Sequence, residues 1–272
     1  MAKVICVINQ KGGVGKTTSA VNLAACLAEK GHETLLIDTD SQGNATSGLG
    51  INRAELTKTI FDVMIDDVPM QNILTPTKQP KLRVAPANSD LLSAELHLAG
   101  DPDGKRCLSR AVVKFFNETP PALQPKYIII DCPPSLGQLS INAILTSDSV
   151  IIPVQCEYYA LEGLTDILTT TTMLRQNFNT GLSLEGILLT MADRRLNLSH
   201  QVEEEIRAVY RDYVLNSVIY RSVRLSEAPS HGTPIIQYDP QSIGAKAYMA
   251  LAEEIIDNET KSPRPWPLRA VV

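Results

Sequence analysis

Residues 9–18 read NQKGGVGKTT. They lie between an apolar run, Lys3 to Ile8, and a helical pattern from Thr17 to Lys30 whose apolar positions are Val21, Leu23, Ala24, Leu27 and Ala28. Gly31 stands where a C-terminal helix glycine belongs. Strand, glycine-rich loop and helix N-terminus in this order make a phosphate-binding device. Glycines let successive backbone N–H groups turn inward, and the helix dipole favours an anion. Gly12, Gly13, Val14, Gly15, Lys16, Thr17 and Thr18 are therefore the expected cradle for ATP or ADP. Lys16 is expected at the β- and γ-phosphates, and the Thr17 hydroxyl on Mg²⁺. The strict pattern G-x-x-x-x-G-K-[ST] is broken at Gln10, and a second lysine, Lys11, opens the stretch K-G-G-x-G-K-T.

Two further stretches agree with this reading. Leu35 to Thr46 reads LLIDTDSQGNAT, an apolar strand that delivers Asp38 to its end with Asp40 just beyond. Tyr127 to Leu136 reads YIIIDCPPSL, an apolar strand ending in Asp131, where Pro133 and Pro134 forbid continuation. Open α/β sheets bind ligands outside the carboxyl ends of their strands. Carboxylates there serve Mg²⁺ and the attacking water of a phosphoryl transfer.

Glu33 to Asp38, Leu82 to Pro86, Val150 to Val154 and Leu184 to Thr190 read as further buried strands. Helices are expected at about 57–66, 89–98, 104–117, 138–146, 160–176, 199–213 and 241–258. Buried strands alternating with helices predict an α/β fold, a single doubly wound, mostly parallel sheet with helices on both faces. With no linker, repeat or charge block, residues 1–260 read as one domain and 261–272 as a proline-rich, disordered tail with an exposed Trp266. The 5 cysteines are odd in number and lack a C-x-x-C pair, which disfavours a disulfide framework and favours reduced thiols in a cytoplasmic protein. No signal peptide or membrane span is evident. A net charge of −5 does not point to nucleic-acid binding by the molecule as a whole and leaves room for a local basic patch.

The second lysine in K-G-G-x-G-K-T makes the loop resemble the deviant Walker A loop of the ParA/MinD/nitrogenase-iron-protein ATPases. Ile151 to Leu164, IIPVQCEYYALEGL, and Val223 to Ile235, VRLSEAPSHGTPI, extend the resemblance from about Lys3 to Ile256, toward chromosomal ParA proteins of the Soj type. The resemblance implies an ATPase with weak intrinsic activity that closes into a homodimer around ATP, with Lys11 reaching the partner's phosphates. It implies that Asp40 positions water, that Asp38 supports the metal site, and that Asp131 binds Mg²⁺ through water. It places the base near Met191, Tyr220, Ser222 and Val223. Ser41 and Tyr220 depart from the family, which usually has proline at both positions.

The same resemblance implies non-specific binding of double-stranded DNA on the nucleoid by Arg195 and Arg224, with Arg194 and Arg221 adding to the patch. Hydrolysis would be stimulated by a ParB-type centromere-binding partner. A helix-turn-helix region for operator binding is not expected. Three related readings stay open: a ParA-like positioner of protein cargo, a MinD-like membrane ATPase, and an iron–sulfur reductase using Cys107 and Cys132. The prolines 263, 265 and 267 argue against the amphipathic membrane helix that MinD requires.

Overall fold

The computed structural model describes residues 2–260 and 266–267. Strands β1 (Lys3–Val7), β2 (Thr34–Asp38), β3 (Thr75–Pro76), β4 (Leu82–Ala85), β5 (Tyr127–Asp131), β6 (Ser149–Gln155), β7 (Ser183–Ala192) and β8 (Val214–Tyr220) form one sheet. Their order is β3-β4-β2-β5-β1-β6-β7-β8. All neighbours are parallel except the short edge strand β3, which runs antiparallel to β4.

The helices are α1 (Lys16–Glu29), α2 (Asn44–Gly48), α3 (Ile60–Ile65), α4 (Leu91–Gly100), α5 (Cys107–Glu118), α6 (Gln138–Thr146), α7 (Ala160–Phe178), α8 (Asn197–Tyr210), α9 (Val223–Glu227), α10 (Ile235–Tyr238) and α11 (Ile243–Asn258). Side chains alternate across a strand, so each central strand feeds two cores. Cys6, Ile8, Leu35, Ile37, Ile128 and Ile130 pack with α3 through α8. Ile5, Val7, Leu36, Tyr127 and Ile129 pack on the other face with α1 and α11. Both faces of β1, β2 and β5 are dry, and that is why these strands read as unbroken apolar runs.

The predicted doubly wound sheet is present, and the seven expected helices beyond α1 lie within a few residues of their predicted bounds. Sequence reading missed the edge strand β3, the strand β8 and the short helices α2, α9 and α10. In β8, Asn216 is exposed and Val218 half-buried, so VLNSVIY carries a weaker apolar signal than the central strands. Within the tail, Trp266 is not exposed but buried at 5%. Its Nε1 donates to Thr172 Oγ1 of α7 at 2.7 Å, and the Arg175 guanidinium lies 5.7 Å from its ring. The proline-rich setting hides this because prolines bar a helix but not a single docked aromatic. Residues 261–265 and 268–272, the rest of the expected disordered tail, lie outside the described residues.

The chain between β2 and α3 is fastened to the turn after α9 by a backbone-to-backbone contact. Gly50 has φ +80, and a Cβ there would meet the Gly232 carbonyl oxygen at 2.7 Å. Gly50→Ala therefore adds both left-handed strain and a clash with main chain that cannot rotate away. Chemical denaturation should register a loss of about 2 kcal/mol relative to wild type.

Candidate functional site

Parallel register sets the site. Asp131 at the end of β5 pairs with Val7 at the end of β1 and with Asp38 at the end of β2. Three adjacent strands thus stop together, and the loops that leave them converge above the sheet edge.

After β1 comes the glycine-rich loop. Gly13 and Gly15 take positive φ, +75 and +88, and no atom lies within 4 Å of a Cβ built on Gly12 or Gly13. The concavity is therefore open where phosphate oxygens would sit. Gly15 caps α1 without a side-chain acceptor, so the first N–H groups of the helix have no local anion. Asn9 braces the loop: its Nδ2 donates to the Pro153 carbonyl at 2.7 Å and its Oδ1 accepts from Lys11 N–H at 3.0 Å. Thr190 Oγ1 donates to the Val14 carbonyl at 2.9 Å. Lys16 is only 6% exposed, and its Nζ donates to the Lys11 carbonyl at 2.9 Å. Burial lowers its pKa, against the pull of the nearby Asp131, Cys132 and Asp40.

Asp131 is fully buried, and neither carboxylate oxygen has a hydrogen-bond partner of good geometry. Burial and then the neighbouring Asp38 push its pKa well up; the Thr17 hydroxyl and Lys16 offset this only in part. An orphaned carboxylate beside a threonine hydroxyl and an open phosphate cradle suits a hydrated Mg²⁺, which prefers one or two carboxylates plus phosphate oxygens and water. Among the described residues, no group of three or more His, Cys, Asp or Glu is arranged to hold a metal by itself. The residues present therefore fit an ion that arrives with its nucleotide.

Asp38 plays a different part from direct ligation. Its Oδ2 accepts from Thr46 N–H at 2.9 Å and Thr46 Oγ1 at 2.7 Å, and its Oδ1 accepts from Asp40 N–H at 3.1 Å. Burial raises its pKa to about 6 despite those bonds. Asp38 thus fixes the loop that carries Asp40. Asp40 is 7% exposed, and its Oδ1 accepts from Gln42 N–H at 2.9 Å.

Lys11 points away from the loop and forms an ion pair with Glu157, a partner that sequence reasoning did not identify. Beside the loop lies a cavity of about 360 Å³ whose walls include Gly15, Thr18, Met191, Tyr220, Ser222 and Tyr248. Met191 holds φ +50 at the end of β7, a strained conformation at a pocket wall. Of the expected base contacts, Met191, Tyr220 and Ser222 are together; Val223 is 73% exposed and does not line the cavity. Val223 opens α9, and the helix turns its side chain outward. Tyr248 comes from α11, far along the chain, and its hydroxyl contact with Ser19 at 3.1 Å ties it to the loop helix.

Arg194 and Arg195 come after β7, and Arg221 and Arg224 after β8. The two segments are neighbours, since Ala192 pairs with Tyr220 and Arg221 N–H donates to the Ala192 carbonyl at 3.0 Å. Arg194 stacks over the Tyr220 ring at 4.1 Å. Cys107 and Cys132 are 7% and 0% exposed, so neither presents a thiolate at the surface for a shared iron–sulfur cluster.

Asp131→Asn removes a buried group whose charged form is disfavoured by burial and by Asp38, and with it the carboxylate that would face Mg²⁺. The melting temperature without nucleotide should rise by a few degrees, and the added stabilisation by Mg-ATP over ATP alone should vanish. Differential scanning fluorimetry with and without Mg²⁺ checks both signs.

Comparison with known proteins agrees with this fold. Residues 2–184 match the family model described as an AAA domain. The chain is 52% identical over 258 residues to the sporulation initiation inhibitor protein Soj of Bacillus subtilis, covering 95% of this chain and 100% of that one. It is 49% identical over 265 residues to the chromosome partitioning protein ParA of Myxococcus xanthus, covering 97% and 92% respectively. Among solved structures, the cobyrinic acid a,c-diamide synthase of Mycobacterium smegmatis with bound ADP and magnesium superposes with a TM-score of 0.83 at 32% identity, over 99% of this chain and 100% of that one. The chain belongs to the ParA/Soj family of chromosome-partitioning proteins.

Proposed function

We propose that this chain is a DNA-partitioning ATPase whose Mg-ATP state is a face-to-face dimer that binds DNA without sequence preference. The observation that carries the reading is the convergence of the open glycine cradle, Lys16 and the orphaned Asp131 at three aligned strand ends. Family membership supports the same reaction, ATP and water to ADP and phosphate.

The loop N–H groups and Lys16 hold the β- and γ-phosphates, and the cavity beside Met191 and Tyr220 takes the nucleoside. Mg²⁺, when bound, neutralises charge that develops on the phosphate oxygens. Thr17 and Asp131 are the residues that would hold it. Asp40, kept in place by Asp38 and Thr46, orients the attacking water. Catalysis is then positioning and charge stabilisation, with little covalent work for the protein. Lys11 leaves Glu157 and neutralises phosphate charge on the partner protomer. Closure joins the two patches of Arg194, Arg195, Arg221 and Arg224, and the dimer coats the nucleoid. A ParB-type partner stimulates hydrolysis and so releases the DNA.

Separation of function tests the scheme. Asp40→Ala should bind ATP, dimerise and hold duplex DNA while phosphate release falls at least about a hundredfold. Lys11→Ala should bind ATP and stay monomeric in light scattering. Wild-type phosphate release by the Asp40 variant would refute the assigned role. Arg195→Ala combined with Arg224→Ala should abolish duplex binding in fluorescence anisotropy without altering nucleotide affinity. In the wild type, affinity should fall steeply with added salt, as counterion release requires.

A further inference from the structure

The arginines of the proposed DNA patch are not all free cations. Arg195 donates from Nε to Asp193 Oδ1 at 3.0 Å and from Nη2 to Oδ2 at 2.8 Å, a two-pronged pair. The arginine side chain is 84% exposed while the aspartate side chain is 12% exposed, so the carboxylate lies beneath the guanidinium. Local backbone fixes the aspartate: its N–H donates to Ser199 Oγ at 3.0 Å, and its Oδ1 also accepts from Arg195 N–H at 3.0 Å. The side-chain and then the backbone bonds from Arg195 hold the Asp193 carboxyl well below the usual carboxylate range. Across the patch, Arg224 donates from Nη1 to Glu227 Oε2 at 3.1 Å, and its Nε lies 3.5 Å from Asp239 Oδ2. Glu227 is steadied in turn by the Tyr238 hydroxyl at 3.0 Å. Among the described residues, Arg194 and Arg221 form no salt bridge.

A phosphate that approaches Arg195 or Arg224 thus meets a charge already balanced by a carboxylate. It must displace that carboxylate or bind a pair of zero net charge, and either way the electrostatic gain per contact shrinks. We propose that Asp193 and Glu227 are internal competitors for Arg195 and Arg224, which keep a single protomer's affinity for DNA low and make stable engagement depend on joining two patches. The inference rests on the DNA-binding reading above and adds how that site is regulated. Exposed pairs are weak, so each competitor shifts one patch only modestly. In a dimer the same shift enters twice, because the second patch binds at high effective concentration.

Asp193→Asn tests this with little change of shape. The asparagine Oδ1 still accepts from Arg195 N–H, and the bond to Ser199 is untouched. Glu227→Gln likewise keeps an acceptor for Tyr238. Anisotropy with a labelled random-sequence duplex at fixed salt, without nucleotide and with a non-hydrolysable ATP analogue, compares both variants with wild type and Arg195→Ala. Each neutralising variant should raise the affinity of the nucleotide-free chain about threefold and that of the analogue-bound dimer about tenfold. If wild type binds and Arg195→Ala weakens binding, yet both neutralising variants bind no better than wild type, the carboxylates only brace their loops and the inference is overturned. If no protein binds duplex in any nucleotide state, the DNA-binding reading itself fails, and the inference with it.

Discussion

The structure depends on keeping carboxylates at the ends of β2 and β5 in a place with almost no water. Asp38 and Asp131 stand side by side in register, both fully buried. Burial pushes the pKa of each upward, and the proximity of Asp38 pushes Asp131 further. In a fold held by apolar packing on both faces of the sheet, that arrangement costs stability. The chain tolerates it because the surrounding sheet over-determines the backbone.

The neighbours of this pair divide the labour. Asp38 has its oxygens filled by Thr46 and Asp40, so it is an architectural carboxylate that shapes the loop after β2. Asp131 has no hydrogen bond of good geometry, only the Thr17 hydroxyl beside it. Two aspartates that look alike in sequence, each closing an apolar run, differ only in what the next residues do. Beyond Asp38 the chain turns back and supplies donors. Beyond Asp131 the pair of prolines sends the chain away.

The phosphate loop, both carboxylate strands and the parallel sheet were legible because they depend on local pattern: continuous apolar runs for strands buried on two faces, glycines before a helix, acids at run ends. What escaped depends on contacts between distant residues. Tyr248 reaches the cavity beside the glycine-rich loop through the packing of α11 on α1, and no periodicity announces that. Val223 lies in the segment beside the cavity but is exposed at the start of α9. Trp266 sat among prolines that correctly forbade a helix and said nothing about docking on α7. The pairing of Lys11 with Glu157 joins residues 146 positions apart and is set by where β6 ends.

The contact between Gly50 and Gly232 has a mechanical meaning. It couples the segment downstream of Asp40 to the turn downstream of the Arg224 helix, with main chain against main chain and no side chain between. Side chains absorb small displacements by changing rotamer; two abutting backbones do not. A shift of the segment after α2 therefore bears directly on the turn that follows α9. The pair of glycines is a bearing point at which two loops rest on each other with no side chain to give way.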